Sequence, residues 1–433
     1  MPAPMLSYAP APPATRGAYK WWVVFMLWFI CFLNYADRQA ISAIFPKLQE
    51  EFGFDKEQLG LIGSAFMWVY AFGAPLAGYI GDRVRRKELI LGGCIFWSLI
   101  TVLTGRCTRL WQFVTVRASE GFGETFYFPA SMSLISDYHG PQTRSKALSF
   151  HQSSVYVGTV AGTWIAALLA QHYGWRLGFY FFGAAGIVLA IVLFALLREP
   201  GRGMSESLDQ TGKVRLPASE LLASVLAQPT AVLLMLAFLG ANFVATIFLV
   251  WAPTFLVEKF HYTLSTAGFS GTAFIHLTSA VSAPLGGVMA DALARRRPGG
   301  RMLVQASGLL IGAGFVFLVA VTDRTPVLLV SMTLFGFCKG LYDSNIFASL
   351  YDVVEPRARA TAAGFMNTVG WGGGALGPLY VGYFALHGRY SSQIQNMSHA
   401  IALTAGIYIV SGVLLLVAAR LCARRADNPV TMR

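Results

Sequence analysis

Apolar residues in this chain run in long blocks separated by short polar turns, and few charges interrupt them. A bilayer-crossing helix needs about 20 predominantly apolar residues. Twelve blocks satisfy this: 20–45, 58–81, 87–105, 110–138, 144–171, 175–198, 229–257, 264–292, 301–321, 325–353, 360–386 and 398–420. Several exceed the required length, which predicts tilted helices that project beyond the bilayer. The blocks fall six and six around one long polar stretch. The predicted fold is therefore an all-α polytopic membrane protein with twelve transmembrane helices in two pseudo-symmetric six-helix halves, 20–198 and 229–420. Residues 199–228 form the linker between them and 421–433 a tail. The Pro- and Ala-rich residues 1–19 predict a disordered segment. They lack the charged start, short apolar core and cleavage site of a signal peptide, so the first span is expected to be retained.

Composition sharpens this picture. Charged residues make up 12% of the 433 and apolar ones 55%, whereas a soluble chain carries about a quarter charged residues. Disorder, collagen-like repeats and an ordinary cytosolic enzyme are excluded. Cytoplasmic loops of membrane proteins retain Lys and Arg. Placing both termini in the cytoplasm puts twenty-two of the 33 basic residues there, in clusters such as Arg83, Arg85, Arg86 and Lys87, and Arg295, Arg296, Arg297 and Arg301. Eight lie outside and three, Arg38, Arg117 and Lys339, fall within spans. The net charge of +12 thus records orientation in a cell (inner or plasma) membrane and implies no nucleic-acid partner. Five cysteines without metal or CxxC spacing read as reduced packing residues. No phosphate-cradling loop, zinc HExxH or nucleophile elbow is present. The chain is expected to be a monomer without cofactors, not an enzyme, drawing energy from an ion gradient or the solute's own gradient.

Internal repetition supports two halves. Gly78 and Asp82 after span 2 correspond to Gly287 and Asp291 after span 8, each followed by a basic cluster. Asp137, Arg144 and Ala147 correspond to Asp352, Arg359 and Ala362 at an offset of 215 residues, which also lays Glu124 over Lys339. At these residues the chain resembles the major facilitator superfamily over essentially its whole length. The family's loop motif, G-x-x-x-D-R-x-G-R-R/K, is met by Gly78, Asp82, Arg83, Arg86 and Lys87, with Arg85 in place of the second glycine. The resemblance implies the major facilitator fold and casts Asp82, Arg83 and Arg86 as a conformational lock on the cytoplasmic side. Asp137, Arg144 and Asp291 are expected to act with them as gating residues.

Charges inside spans are costly and mark functional sites. Span 1 carries Tyr35, Asp37 and Arg38, and span 4 presents Arg117, Glu120 and Glu124 on one face by their i, i+3, i+7 spacing. At a rise of ~1.5 Å per residue, Asp37 and Arg117 lie roughly 10–13 Å from the outer ends of their spans and Glu124 about 20 Å. Three acids against two arginines sum to −1 when ionised, so one proton neutralises the set and a second makes it attractive to an anion. Glu124 is expected to be the main proton carrier because it has fewer neighbouring compensations than Asp37 beside Arg38. Asp37 is its coupled partner, and Glu120, one turn from Arg117 and able to pair with it, is the third proton-coupling candidate. Arg38 and Arg117 are expected to bind or organise the substrate's anionic group, with Tyr35, Tyr127, His151, Gln152 and Asn367 as further substrate contacts.

The Asp-Arg pair of span 1 with Arg-x6-Glu of span 4 resembles the anion:cation symporters, which include sialin and the sugar-acid symporters. Asn34-Tyr35-x-Asp37-Arg38, Gly123-Glu124 with Tyr127 and Pro129, and Gly174-Trp175-Arg176 are equally similar to spinster-like transporters. The first resemblance implies a small organic anion moved with protons, and the second a lysolipid or related amphipathic lipid. A transporter-shaped sensor or a membrane enzyme is the more distant alternative. In span 10 Lys339 and Asp343 are spaced to pair, and Lys339 is expected to approach Glu124 across the central cavity as a gating charge.

Overall fold

The computed structural model describes residues 17–81, 84–200, 218–355 and 358–427; the expected lock residues Asp82 and Arg83, and the N-terminal segment before residue 17, lie outside these. All regular structure among the described residues is helical. In chain order the helices are α1 (Tyr19–Ala43), α2 (Phe45–Phe52), α3 (Lys56–Gly81), α4 (Arg86–Thr104), α5 (Leu110–Thr125), α6 (Tyr127–Tyr138), α7 (Pro141–His172), α8 (Trp175–Leu196), α9 (Ala218–Leu226), α10 (Pro229–Phe260), α11 (Leu264–Arg296), α12 (Gly300–Val321), α13 (Thr325–Asp343), α14 (Ile346–Val353), α15 (Arg359–His387) and α16 (Gln393–Asp427). With α5–α6 and α13–α14 each counted as one interrupted span, and the short α2 and α9 left outside the count, they make the two six-span halves.

Nine of the described segments are long and apolar enough to cross a membrane by themselves. The α5–α6 span, whose first half carries Arg117, Glu120 and Glu124, is not among them, although the likewise interrupted α13–α14 span is. Both interruptions depart from the continuous spans that the apolar blocks predict, and both have local causes. Pro129 has no N–H to return to the Thr125 carbonyl, and its ring crowds that carbonyl, so the helix parts at Phe126. The Thr125 hydroxyl also bonds back to Gly121 O at 2.7 Å, which bends helices. In α13–α14 no proline is involved. Ser344 and Asn345 turn their side chains onto Leu341 O instead, both at 3.4 Å, and Asn345 Nδ2 also reaches Gly286 O at 3.1 Å. The two breaks are three residues out of step with the 215-residue repeat.

Helix contacts repeat between the halves. The pairs α1–α7, α4–α8 and α3–α5 are matched by α10–α15, α12–α16 and α11–α13, and the halves meet along α3–α15 and α7–α11. Close approach there depends on small residues, as in other membrane bundles. A methyl on Gly60 would lie 2.6 Å from Pro378 O, and one on Gly268 would lie 2.8 Å from Thr163 O.

The ends of the bundle differ in charge. Arg86 and Arg301 sit on one face, hereafter the basic face, and Glu51, Lys56, Glu258 and Asp323 on the far face. The hydrogen bonds that join the halves among the described residues begin at the far face. Lys56 pairs with Glu258, and Ser265 N donates to Gln171 Oε1 at 3.0 Å. Ser64 Oγ donates to Ala375 O at 2.6 Å and, deepest, Thr368 Oγ1 to Ala71 O at 3.2 Å. Closer to the basic face, Gly364 on α15 faces open space. The far face is closed.

Candidate substrate and coupling site

The span 1 and span 4 charges meet in the closed part of the bundle, all within the N-terminal half. Asp37, Arg38, Arg117, Glu120 and Glu124 are each 5% exposed or less. Arg38 Nε donates to Glu124 Oε2 at 2.8 Å and its Nη2 bonds the same oxygen, with a further bond to Asn34 Oδ1 at 3.2 Å. Arg117 pairs with Glu120 and donates to the Arg38 carbonyl at 3.2 Å. Asp37 turns away from its neighbour's guanidinium. Its Oδ1 accepts from Arg38 N at 2.8 Å, and its Oδ2 takes the Thr101 hydroxyl of α4 at 3.2 Å. One oxygen from each of the three carboxylates falls within 4.8 Å of the others. Glu120 Oε1 and Glu124 Oε1 are buried without a hydrogen-bond partner, as are Arg38 Nη1 and Arg117 Nε.

This geometry reverses one premise drawn from the sequence. Adjacency suggested that Arg38 compensates Asp37, yet successive residues of a helix point about 100° apart, and Arg38 reaches across to Glu124 instead. Asp37 has a hydroxyl and a backbone amide, and Glu124 has the guanidinium.

Aromatic rings enclose Arg38. Its guanidinium carbon lies 4.3 Å from the Tyr35 ring centroid, 4.5 Å from Phe66, 5.2 Å from Tyr70 and 6.0 Å from Trp371. Trp371 comes from α15 in the opposite half and stacks edgewise on Tyr70 at 5.1 Å. On the far-face side, a cavity of about 10 Å³ lined by Arg38, Arg117 and Trp371 has room for roughly one water.

The remaining predicted residues are dispersed. Tyr127 and His151 are buried in the interior of the N-terminal half, where the tyrosine hydroxyl meets His151 Nε2 at 2.9 Å and donates to Leu27 O at 2.7 Å; in this conformation they do not line the gap between the halves. Gln152 and Asn367 are half-buried on α7 and α15. Lys339 pairs with Asp343 on its own helix, and no described contact brings it to Glu124 as the repeat suggested. At the basic face Arg86 pairs with Asp137 and, at 3.0 Å, with Glu199. Arg144 donates to His139 O at 3.2 Å. Asp291 and Asp352 share Arg301, at 2.7 and 3.3 Å. Reasoning from the sequence missed Thr101, Phe66, Tyr70 and Trp371, which carry no pattern that sets them apart from ordinary packing residues. Lys56, one of the eight basic residues counted outside the spans, is likewise not a free loop charge: its side chain is 1% exposed and ties the halves through Glu258.

Two related six-span bundles, tied together at the far face and enclosing charged side chains, have the architecture of a membrane transporter. Residues 27–378 match the family model described as Major Facilitator Superfamily, and the chain belongs to that family. Among its relatives, human protein spinster homolog 1 is 30% identical over 366 residues, covering 79% of this chain and 68% of that protein. The probable galactarate/D-glucarate transporter of Bacillus subtilis is 26% identical over 400 residues, covering 86% and 87%. The Arabidopsis thaliana chloroplastic sodium-dependent phosphate transport protein 1 is 27% identical over 412 residues, covering 91% and 78%. A solved bacterial homolog of the human lysosomal transporter Spinster, inward-facing and occupied, superposes with a TM-score of 0.78 at 22% identity, over 93% of this chain and 97% of that one.

Proposed function

We propose that this transporter moves a small organic anion, a carboxylate or sugar acid, together with protons by alternating access. The basic face is taken as cytoplasmic, as the distribution of Lys and Arg favours, with both termini there. The closed far face then makes the described conformation inward-facing. The observation that carries the reading is the buried cluster itself, in which three carboxylates face two guanidinium groups and two carboxylate oxygens have no partner. With every group ionised the cluster holds one net negative charge, which repels an anion and is costly inside a membrane.

Protonation changes this in a specific way. While Glu124 is ionised it occupies Arg38, and the guanidinium is unavailable to a substrate. A proton on Glu124 removes the opposing charge and releases Arg38 toward the gap between the halves, where an anionic group replaces the glutamate. Asp37, within the same carboxylate cluster, exchanges the proton with Glu124, while Arg117 and Glu120 hold spans 1 and 4 in register. Arg86 with Asp137, and Arg301 with Asp291, anchor the basic-face ends that separate as the halves rock. Relatives described as transporters of anions and sugar acids support the anion.

The test is uptake into proteoliposomes under an imposed pH gradient, screening sugar acids and dicarboxylates. Glu124→Gln is expected to abolish gradient-driven uptake and leave counterflow exchange intact. Driven uptake that survives the substitution sinks Glu124 as the carrier. A second reading, a lysophospholipid or related amphipath as cargo, is favoured by the similarity to spinster homolog 1 and by the rings around Arg38. Lysophospholipids belong in the same screen.

A further inference from the structure

We infer that Lys339 of α13 is the anchor for the substrate's anionic oxygen group in the C-terminal half, with Asp343 as the counter-ion it gives up on binding. This rests on the reading of the protein as an anion carrier and names a second contact for it. The three cations within the spans differ in availability. Arg38 and Arg117 are each held by a glutamate and are 5% and 3% exposed. Lys339 has one carboxylate partner, four residues along its own helix, and the pair lies open: the lysine side chain is 15% exposed and the aspartate 32%. An ammonium has three donors, and the described structure occupies one, with Asp343.

The surroundings are those of a ligand subsite. Tyr156 of α7 and His276 of α11 both lie within electrostatic reach of Lys339. Tyr156 belongs to the opposite half, so Lys339 sits on the seam between the halves and not inside one bundle. Both neighbours are half-buried. The other faces of α13 are committed to packing: Gly336 and Gly340 lie against α11, and Cys338 against α12. A carboxylate or phosphate that reaches the exposed part of the pair meets the ammonium, with a phenol and an imidazole within electrostatic reach, and competes with Asp343 for it. A ligand held at once by Lys339 and by Arg38 would touch both halves.

The experiment measures half-saturation for D-glucarate and, separately, for a lysophosphatidylglycerol, in counterflow exchange with full-length protein in proteoliposomes. Ligand-induced thermal shift in detergent is the binding readout. Lys339→Gln is expected to raise half-saturation at least tenfold, and Lys339→Arg to restore most of it. Asp343→Asn removes the competitor and is expected to lower half-saturation several-fold. An ion pair that serves only to solvate itself predicts the opposite sign, since either single substitution would then impair the protein alike. Lys339→Met with Asp343→Leu, which leaves no unpaired charge, guards against loss of folding and should abolish the thermal shift. Unchanged half-saturation in Lys339→Gln, or a rise in Asp343→Asn, overturns the proposal, as does the absence of any response of the wild type to either anion. A Lys339-dependent response to the lysolipid alone identifies a headgroup as the source of the anionic group. Lys339-dependent binding without pH-driven uptake would remove the coupling reading and leave the subsite standing.

Discussion

The fourth and tenth spans are counterparts in the two halves, and they use charge in different ways. Span 4 carries two glutamates and an arginine that are buried and paired across to span 1 or along the helix, with the Phe66 ring over Arg117. In its interior span 10 carries Lys339 and Asp343, which pair with each other among the described residues and remain partly exposed. Both spans are broken, one by Pro129 and the other by Ser344 and Asn345. The contrast separates a part of the protein that must stay dry and neutral from one that can meet solvent. On the proposed reading, proton handling and one substrate contact lie in the N-terminal half and a second substrate contact lies in the C-terminal half.

The largest effect is expected where a buried pair loses one member. Arg38→Ala leaves Glu124 ionised and unpartnered, and breaking a buried ion pair costs about 3–5 kcal/mol. Transport should vanish and thermal unfolding in detergent should shift down markedly. A span 4 pair that serves only to hold helices predicts a milder outcome when both members go. Arg117→Met with Glu120→Leu is expected to cost less than about 1.5 kcal/mol, since replacing a buried pair by apolar groups is often neutral; a loss as large as that of Arg117→Met alone would place Glu120 in the chemistry.

An intermediate effect is expected at the seam between the halves. Gly60→Leu forces a side chain against Pro378 O, and Lys56→Met removes the tie to Glu258. Both should open the far face, so that a thiol reagent confined to that side labels Ser64→Cys faster in either background than in the parent. Equal labelling rates would mean that the seam does not control access.

The smallest effect belongs to the surface. Glu51, in the far-face helix α2, is held below the ordinary glutamate value of 4.5 by its hydrogen bonds to Arg176, and Trp175 Nε1 donates to it as well. A lowered carboxyl value adds stability that is present above the unfolded value and lost as pH falls through the folded one. Acidification below about pH 4.5 should therefore cost the parent slightly more in thermal stability than it costs Glu51→Gln. The pair is exposed and the difference small.

Much of the architecture was legible without coordinates, because lipid leaves the backbone few options. Every spanning segment must satisfy its own hydrogen bonds, so twelve apolar blocks translate into spans, and the loop motif with the repeated Asp and Arg positions identifies the family. The charges of spans 1 and 4 were legible for the same reason, since ionised groups in apolar blocks are conspicuous. Their pairing was not. Sequence adjacency assigned Arg38 to Asp37, and only the helix rotation turned it toward Glu124. The aromatic enclosure was hidden too, because Trp371 lies more than 300 residues from Arg38 and looks like any other packing residue. The sequence by itself determined what is buried, because hydropathy is a local property of each segment. Tertiary structure alone decided which buried charge meets which and which face of the seam is shut, because those depend on the relative rotation of helices distant in the chain.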